Sequence, residues 1–323
     1  MSAPTPSTPS PSQSLHRVSR WGDRIFFVLV VAATVAIVAL MVALFVVLIY
    51  GSREALQTLG LSFLYTKVWN PGGNVYGIVP QLAGTLITSA IALLIAIPLG
   101  VGAAIFLTQQ APAWLRAPVG QLIEMLAAIP SIIYGFWGLI VIVPLMRSEG
   151  EPFLAKYLGW TGLFTGADYG VGIITASLVL SVMAIPTITA ISRDSIAAVP
   201  RSQKEAALSI GATNWEVTRR AVVPYARSGI IAGIVLGLGR ALGETMAVTL
   251  TIGNNNVLPT SLFSLGQTIP SLLANDFFEQ ATPLEIPALL EAALILLAIT
   301  LSINLGARAV LLRFQAGRGV GAE

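Results

Sequence analysis

Long apolar stretches alternate with short polar segments along most of the chain. Six stretches are about as long as the roughly 20 residues that a helix needs to cross the hydrocarbon core of a bilayer. They predict transmembrane helices over residues 25–50, 78–108, 118–144, 171–192, 228–252 and 286–307. The predicted fold class is an all-α integral membrane protein with six transmembrane helices.

Polar tails flank this predicted domain of residues 25–312. Residues 1–13 are almost entirely Pro, Ser and Thr, a composition that cannot bury enough apolar surface to offset the entropy lost on ordering. We expect residues 1–24 to be disordered and residues 313–323 to form a second tail. The first apolar stretch is too long for a cleaved signal peptide and is interpreted as a retained anchor.

Composition supports a membrane protein and argues against catalysis. The chain of 323 residues is 55% hydrophobic and 10% charged, and its mean hydropathy is +0.81. It has no cysteine, and its one histidine, His16, falls in the N-terminal tail. Paired aspartates, a nucleophile elbow and a histidine cluster are all missing from the sequence. We therefore predict a protein that is not an enzyme and that holds no metal or other cofactor.

The distribution of positive charge predicts orientation. Of the 18 Lys and Arg residues, 13 fall on one side of the predicted spans, four on the other, and Arg240 lies within a span. Because cytoplasmic segments are enriched in Lys and Arg, both termini and residues 199–224 should face the cytoplasm. The chain lacks the G-x-x-x-x-G-K-[ST] loop that cradles phosphates in ATPases, so energy must come from another subunit or from an ion gradient.

Residues 199–224 are the longest polar stretch between two apolar segments. Two capping boxes are predicted there, Ser202 with Glu205 and Thr213 with Glu216. Gly211 suits the left-handed turn that ends a helix, and Pro224 should end the second helix because it lacks an amide hydrogen. The first helix offers small residues, Ala206 and Ala207, on its apolar side. This helix-turn-helix should dock onto another surface.

A stripe of small and charged residues runs along the fifth predicted span. At about 100° per residue, one face about 80° wide collects Gly229, Gly233, Gly237, Arg240, Glu244 and Ala247. Small residues let another helix approach closely, so this face should be buried in protein. Arg240 lies about 12 residues, or roughly 18 Å, into the span, where a charge is costly and normally has a functional role or a partner.

Two interpretations of Arg240 and Glu244 stay open at this point. They could form a neutralised structural ion pair, since buried pairs exist without any transport role. They could instead make contacts outside their own helix; an ion-coupled secondary transporter, for example, would use the pair as a proton-linked site.

The polar loop also resembles the EAA loop of ABC importer permeases. The matching residues are Glu205-Ala206-Ala207, then three residues, Gly211, nine residues, and Ala221-Val222-Val223-Pro224. Ala221 stands where that pattern has isoleucine, and Val223 where it has leucine. The resemblance implies that this loop is a coupling helix, inserted into a groove of an ATP-hydrolysing subunit.

A second resemblance points to phosphate-specific ABC permeases. It is carried by the run from Gly237 to Val248, which includes Arg240-Ala241-Leu242-Gly243-Glu244, by Ile129-Pro130-Ser131-Ile132-Ile133-Tyr134-Gly135, and by Asn254-Asn255-Asn256. Further runs, Tyr76-Gly77, Phe136-Trp137-Gly138 and Thr260-Ser261-Leu262-Phe263-Ser264-Leu265, resemble the PstC type rather than the PstA type.

This resemblance implies the permease half of an ATP-driven phosphate importer with the type I fold. The implied partners are a second, PstA-like permease, two PstB-like ATP-binding subunits that hold ATP and Mg²⁺, and an external PstS-like phosphate-binding protein. In this scheme Arg240 contacts the passing phosphate, and Glu244 holds Arg240 when phosphate is absent.

Overall fold

The computed structural model describes residues 20–279 and 282–316. These parts of the chain form helices joined by turns, without a β-strand. The predicted tails fall mostly on residues 1–19 and 317–323, outside the described residues. Residues 20–24, predicted to be disordered, instead form the start of the first helix, where Asp23 lies in the first turn and interacts favourably with the helix dipole.

Fourteen α-helices follow one another in the described residues. They are α1 (Arg20–Gly51), α2 (Arg53–Thr58), α3 (Val79–Ile105), α4 (Ala113–Ala128), α5 (Ser131–Trp137), α6 (Val143–Leu145), α7 (Glu151–Leu158), α8 (Ile173–Ala197), α9 (Arg201–Ser209), α10 (Asn214–Val217), α11 (Val223–Leu242), α12 (Met246–Ile252), α13 (Ile269–Asp276) and α14 (Glu285–Ala316).

Six helical segments are long and apolar enough to cross a membrane. They are Trp21–Gly51, Val79–Gln110, Ser131–Thr161, Ile173–Ala197, Asn214–Leu242 and Glu285–Ala309. The prediction of an all-α protein with six membrane helices is therefore confirmed. The chain divides at Val47 into two compact units, the first containing α1 up to that residue and the second containing everything that follows.

The third predicted span, residues 118–144, has the wrong bounds. Helix α4 ends at Ala128, and a new helix begins at Ser131 and continues to Thr161. The physical reason is Pro130, whose ring disfavours a helical conformation of the preceding residue; Ile129 is extended, with φ −64° and ψ 130°. The membrane-spanning helix thus starts after this break.

Three prolines are accommodated inside long helices by π-helical turns. The π turns Gly138–Ile142, Met146–Gly150 and Thr218–Val222 each end two residues before a proline, at positions 144, 152 and 224. A π turn hydrogen-bonds each amide to the carbonyl five residues back, so the register shifts where proline would clash with the carbonyl four residues back. The helices continue past all three prolines.

Helix α8 lies at the centre of the second unit. It packs against both α3 and α11, and 72% of its apolar window is buried, compared with 28% for the spans that contain α3 and α11. Small residues and hydroxyls, among them Ala176, Ser177 and Ala184, are buried along it. These side chains allow the close helix contacts on which membrane helix packing depends.

Candidate functional site

The fifth predicted span, residues 228–252, is two helices rather than one. Helix α11 ends at Leu242, three residues around Gly243 are not helical, and α12 begins at Met246. At the other end the helix starts earlier than predicted, at Asn214. Arg240 is therefore in the last turn of α11, and Glu244 is in the break.

Arg240 points into a cavity of about 720 Å³ between α8, α11 and α14. Its Nη1 donates a hydrogen bond of 3.2 Å to Oγ1 of Thr187, one residue after the proline inside α8. Asn304 and Arg308 of α14 also line the cavity, and its remaining lining residues are Ala232, Val235, Leu236 and Gly239. The lining contains two guanidinium groups and no carboxylate, which suits it to an anion.

The predicted pair of Arg240 and Glu244 is not formed among the described residues. Glu244 is buried, and its Oε1 accepts a hydrogen bond of 3.2 Å from the backbone amide of Ala247, in the first turn of α12. The helix break explains the difference. A cation at the C-terminal end of α11 and an anion at the N-terminal end of α12 each meet the opposite partial charge of a helix terminus. Each group is stabilised separately.

The glycine stripe of α11 faces protein, as predicted. A Cβ atom added to Gly237 would lie 2.9 Å from Cγ1 of Ile188, and one added to Gly233 would lie 3.2 Å from Cβ of Ile191. Gly229 makes a still closer approach to Ser195. The stripe is thus the contact surface of α11 on α8, and it holds Arg240 beside Thr187.

Three residues of this cavity were missed in the sequence. Thr187 and Asn304 are ordinary uncharged residues of apolar helices, without a local feature that separates them from neighbouring hydroxyls and amides. Arg308 was counted with the C-terminal tail because it follows the sixth predicted span, residues 286–307. In the structure it belongs to α14 and lines the Arg240 cavity.

The polar loop forms a helix-turn-helix, with one predicted cap confirmed and one wrong. Gly211 adopts φ +85° between α9 and α10. Thr213 caps α10 with Glu216 in a complete capping box: the Thr213 amide donates to Glu216 Oε2 at 2.9 Å, and the Glu216 amide donates to Thr213 Oγ1 at 3.3 Å. This arrangement orders the turn.

The capping box predicted for Ser202 and Glu205 does not form. Pro200 occupies the N-cap position of α9, and the helix has no side-chain cap. Ser202 is therefore already the second helical residue, where its hydroxyl cannot accept from the amide that a cap would satisfy. Glu205 is exposed.

Pro224 does not end the second helix. The amide of Val223 donates to the carbonyl of Thr218, five residues back, and this π turn leads directly into α11. Helix α10, the π turn and α11 form one continuous helical segment, Asn214–Leu242. The loop is therefore connected to the last turn of α11 by helix throughout, including the π turn.

Apolar side chains are exposed at the tip of the loop. Ile210 is 85% exposed, Trp215 60% and Leu208 46%. Among the predicted docking residues, Ala206 and Pro224 line one cleft of about 510 Å³, whereas Ala207 packs against the core cluster that contains Val217 and Val222. A polar loop with an exposed apolar tip is typical of a surface that another protein covers.

Metal ligands are not assembled in the parts of the chain that the structure describes. No group of three or more His, Cys, Asp or Glu side chains lies close enough there to hold a metal ion. The two features that stand out are the arginine-lined cavity and the exposed loop.

Six membrane helices, a cavity lined by two arginines and an exposed helix-turn-helix describe a multi-pass membrane protein. The family model described as binding-protein-dependent transport system inner membrane component matches residues 96–315. The chain belongs to that family and, within it, to the PstC-type permeases, which are transport components of ABC importers rather than enzymes.

The curated relatives match nearly the whole chain. The chain is 46% identical over 301 residues to "Phosphate transport system permease protein PstC" of Mesorhizobium japonicum, covering 92% of each chain. It is 49% identical over 284 residues to the protein of the same name from Pasteurella multocida, covering 87% of this chain and 88% of the relative.

Solved structures agree on the fold. A chain of a bacterial ABC transporter for import of the acidic polysaccharide alginate is similar with a TM-score of 0.55 at 17% identity, covering 91% of this chain and 98% of that one. The helix arrangement is therefore that of the type I ABC importer permeases, as predicted.

Proposed function

We propose that this protein is the permease subunit of an ATP-driven importer of inorganic phosphate, which it moves across a bacterial inner membrane into the cytoplasm. The observation that carries the proposal is the Arg240 cavity, lined by two arginines and no carboxylate. A guanidinium offers a phosphate two parallel hydrogen bonds. The name shared by the curated relatives, phosphate transport system permease, supports the same substrate.

In this proposal the ion-coupled transporter becomes the weaker alternative. That mechanism would use Arg240 and Glu244 as a coupled pair, and the described structure separates them into two helix termini. An ion-coupled mechanism also gives no role to the exposed apolar side chains at the tip of the loop.

Coupling to ATP would pass through the loop of residues 199–224. Glu205, Ala206, Ala207, Gly211 and Pro224 would form or support the surface that docks on a separate ATP-binding subunit. Because Asn214–Leu242 is one helical segment, about 43 Å long at 1.5 Å per residue, movement of the docked loop would displace Arg240 directly. ATP and Mg²⁺ would be bound by that partner, and this chain would hold no cofactor.

The partners proposed are a PstA-like second permease, two PstB-like ATP-binding subunits and an external PstS-like phosphate-binding protein. The second permease would close the open side of the Arg240 cavity. Phosphate released by the external protein would replace water around Arg240, with Thr187 and Asn304 as further hydrogen-bonding groups. Glu244 would keep the start of α12 in place rather than neutralise Arg240.

The test of function is uptake of labelled phosphate by cells that express the chain with its co-expressed partner subunits. Uptake should persist when a protonophore collapses the ion gradient and should stop when ATP is depleted. The reverse pattern would identify an ion-coupled transporter and overturn the proposal.

Orientation can be tested by single-cysteine labelling, since the chain has no native cysteine. Phe278 and Ile210 are 86% and 85% exposed, on the loop before α14 and on the α9–α10 loop. A membrane-impermeant maleimide should label Phe278→Cys in intact cells and Ile210→Cys only after permeabilisation. The opposite result would place both termini outside.

A further inference from the structure

A second cationic cleft lies beside the polar loop, outside the Arg240 cavity. It has a volume of about 380 Å³ and is lined by the π turn Phe106–Gln110 that follows α3, the start of α4, the end of α8 and the first turn of α9. Its polar lining residues are Thr108, Gln109, Arg116, Arg193, Arg201 and Lys204. Four cations therefore line one small cleft, and the lining includes no carboxylate.

One of the four cations, Arg193, is already paired with two carboxylates. Nη2 of Arg193 lies 2.8 Å from Oε1 of Glu124 and 3.0 Å from Oδ1 of Asp194. Arg116 donates from Nε to the carbonyl of Ala111 at 2.7 Å, which leaves its charge unpaired. Within the described residues, no ion pair is formed by Arg116, Arg201 or Lys204. The cleft thus holds three uncompensated positive charges.

Lys204 is half-buried and lies close to two of the other cations. Burial, together with the positive charges of Arg116 and Arg201, lowers the pKa of its ammonium group below the usual value. An anion between the three groups would remove this repulsion.

Neutral donors complete the cleft. The side-chain amide nitrogen of Gln109 is buried without a hydrogen-bond partner in the described structure. The first turn of α9 also borders the cleft, and its amides have no side-chain cap, so the positive end of the helix dipole adds to the field. Guanidinium, ammonium and amide donors around one space are the set that binds a phosphate group.

We propose that this cleft binds a phosphate group, carried either by free inorganic phosphate or by the head group of an anionic phospholipid. The bound group would connect α9 to α4 and α8, and so brace the loop that we propose to couple transport to ATP. The binding site itself is independent of the transport role proposed for Arg240.

The first arm of the test measures free phosphate on an Arg240→Gln background, so that the Arg240 cavity does not contribute and a failure of the proposed function cannot affect the result. The full chain, in nanodiscs of phosphatidylcholine, is titrated with labelled phosphate. Lys204→Gln should weaken saturable binding roughly tenfold or more, the size expected for loss of one charge-assisted hydrogen bond. Arg219→Gln, an exposed cation on the same loop but outside the cleft, should leave binding unchanged.

The second arm measures lipid without added phosphate. Replacing part of the phosphatidylcholine with phosphatidylglycerol should raise the melting temperature of the chain, and Lys204→Gln should lose most of that increase while Arg219→Gln keeps it. A positive first arm identifies free phosphate as the ligand, and a positive second arm identifies the lipid.

A further variant distinguishes loss of the binding site from misfolding of Lys204→Gln. Gln109→Glu places a carboxylate among the three cations, so it should raise the melting temperature and abolish binding in whichever arm was positive. The proposal is overturned if neither arm separates Lys204→Gln from Arg219→Gln, or if Gln109→Glu lowers the melting temperature. The proposal is also overturned if the only effect of Lys204→Gln, measured with the co-expressed partner subunits, is loss of the ATP-binding subunit. The three cations would then bind a carboxylate of that subunit.

Discussion

The Arg240 cavity and the α9–α10 loop differ in which kind of side chain lies in an unfavourable environment. One places a charged group inside an apolar helical span, and the other exposes apolar side chains on a polar loop. Each arrangement costs free energy in the isolated chain, since charge is expensive at membrane depth and exposed apolar surface is expensive in water. Under the proposed function the two regions are completed by different occupants, an anion in the first and a protein surface in the second.

The two regions also differ in what the chain itself supplies. In the cavity, Arg240 has a hydrogen bond to Thr187 and a favourable helix terminus, but no ion pair in the described residues. In the loop, the Gly211 turn and the Thr213 cap order the backbone, and the apolar side chains at the tip are exposed. Removing a group from the cavity should therefore affect the substrate, whereas removing one from the loop should affect the partner.

The largest effect is expected at Arg240. Arg240→Gln should reach the membrane normally and take up no phosphate, and Arg240→Lys should be impaired because an ammonium cannot form the bidentate contact. Arg308→Gln, at the edge of the same cavity, should reduce uptake without abolishing it. The measurement is labelled phosphate uptake per amount of membrane protein, with the exposed Arg53→Gln as the matched control.

The helix break sharpens this prediction. Because Arg240 and Glu244 are stabilised separately, neutralising both should not restore what Arg240→Gln removes, and the double variant with Glu244→Gln should stay inactive. Recovery of uptake in that double variant would show that the two residues form a structural ion pair, contrary to their separate hydrogen bonds to Thr187 and to the Ala247 amide.

The second effect concerns the Gly211 turn. Valine is strongly disfavoured at φ +85°, at a cost of about 1–2 kcal/mol or more in the left-handed region. Steric clash adds nothing to this cost, since no atom lies within 4 Å of a Cβ added at Gly211. Gly211→Val should leave the chain inserted and able to bind phosphate but should abolish ATP-dependent uptake. Gly211→Asn should retain most uptake, because asparagine tolerates the left-handed conformation. Equal loss of uptake in the valine and asparagine variants would contradict the argument from backbone strain.

How well each region could be predicted follows from the distance over which its residues interact. Gly211 and the Thr213–Glu216 box depend on neighbours within three residues, and the sequence was sufficient for both. The cavity depends on Thr187 and Asn304, more than 50 residues from Arg240 along the chain, and these pairings are set by packing of the glycine stripe on α8. The helix break at Gly243 was missed because the apolar and small-residue pattern continues across it.

The third effect isolates the loop tip. Ile210 is 85% exposed, so Ile210→Ser should leave the melting temperature of the isolated chain unchanged. If the side chain is buried against an ATP-binding subunit, its loss should weaken association by about 1.5–3 kcal/mol, or roughly tenfold or more. The measurement is the amount of ATP-binding subunit that co-purifies across a dilution series. Unchanged association in both Ile210→Ser and Trp215→Ser would remove the tip from the docking surface.

The smallest effect is expected from the cap of α10. In Thr213→Ala the Glu216 amide loses the hydroxyl that accepts from it at 3.3 Å, and Glu216 Oε2 loses the hydroxyl that donates to it at 2.9 Å. The usual cost is about 1 kcal/mol, which is too little to unfold the loop, because α10 continues into α11 and Gly211 still makes the turn. Thr213→Ala should therefore lower coupled uptake only partly, while Thr213→Ser, which keeps both hydrogen bonds, should match the wild type. Hydrogen exchange of the amides in α9 and α10 is the direct measurement. We expect faster exchange in Thr213→Ala than in Thr213→Ser. Equal exchange in the two variants would show that the Thr213–Glu216 capping box does not order the loop.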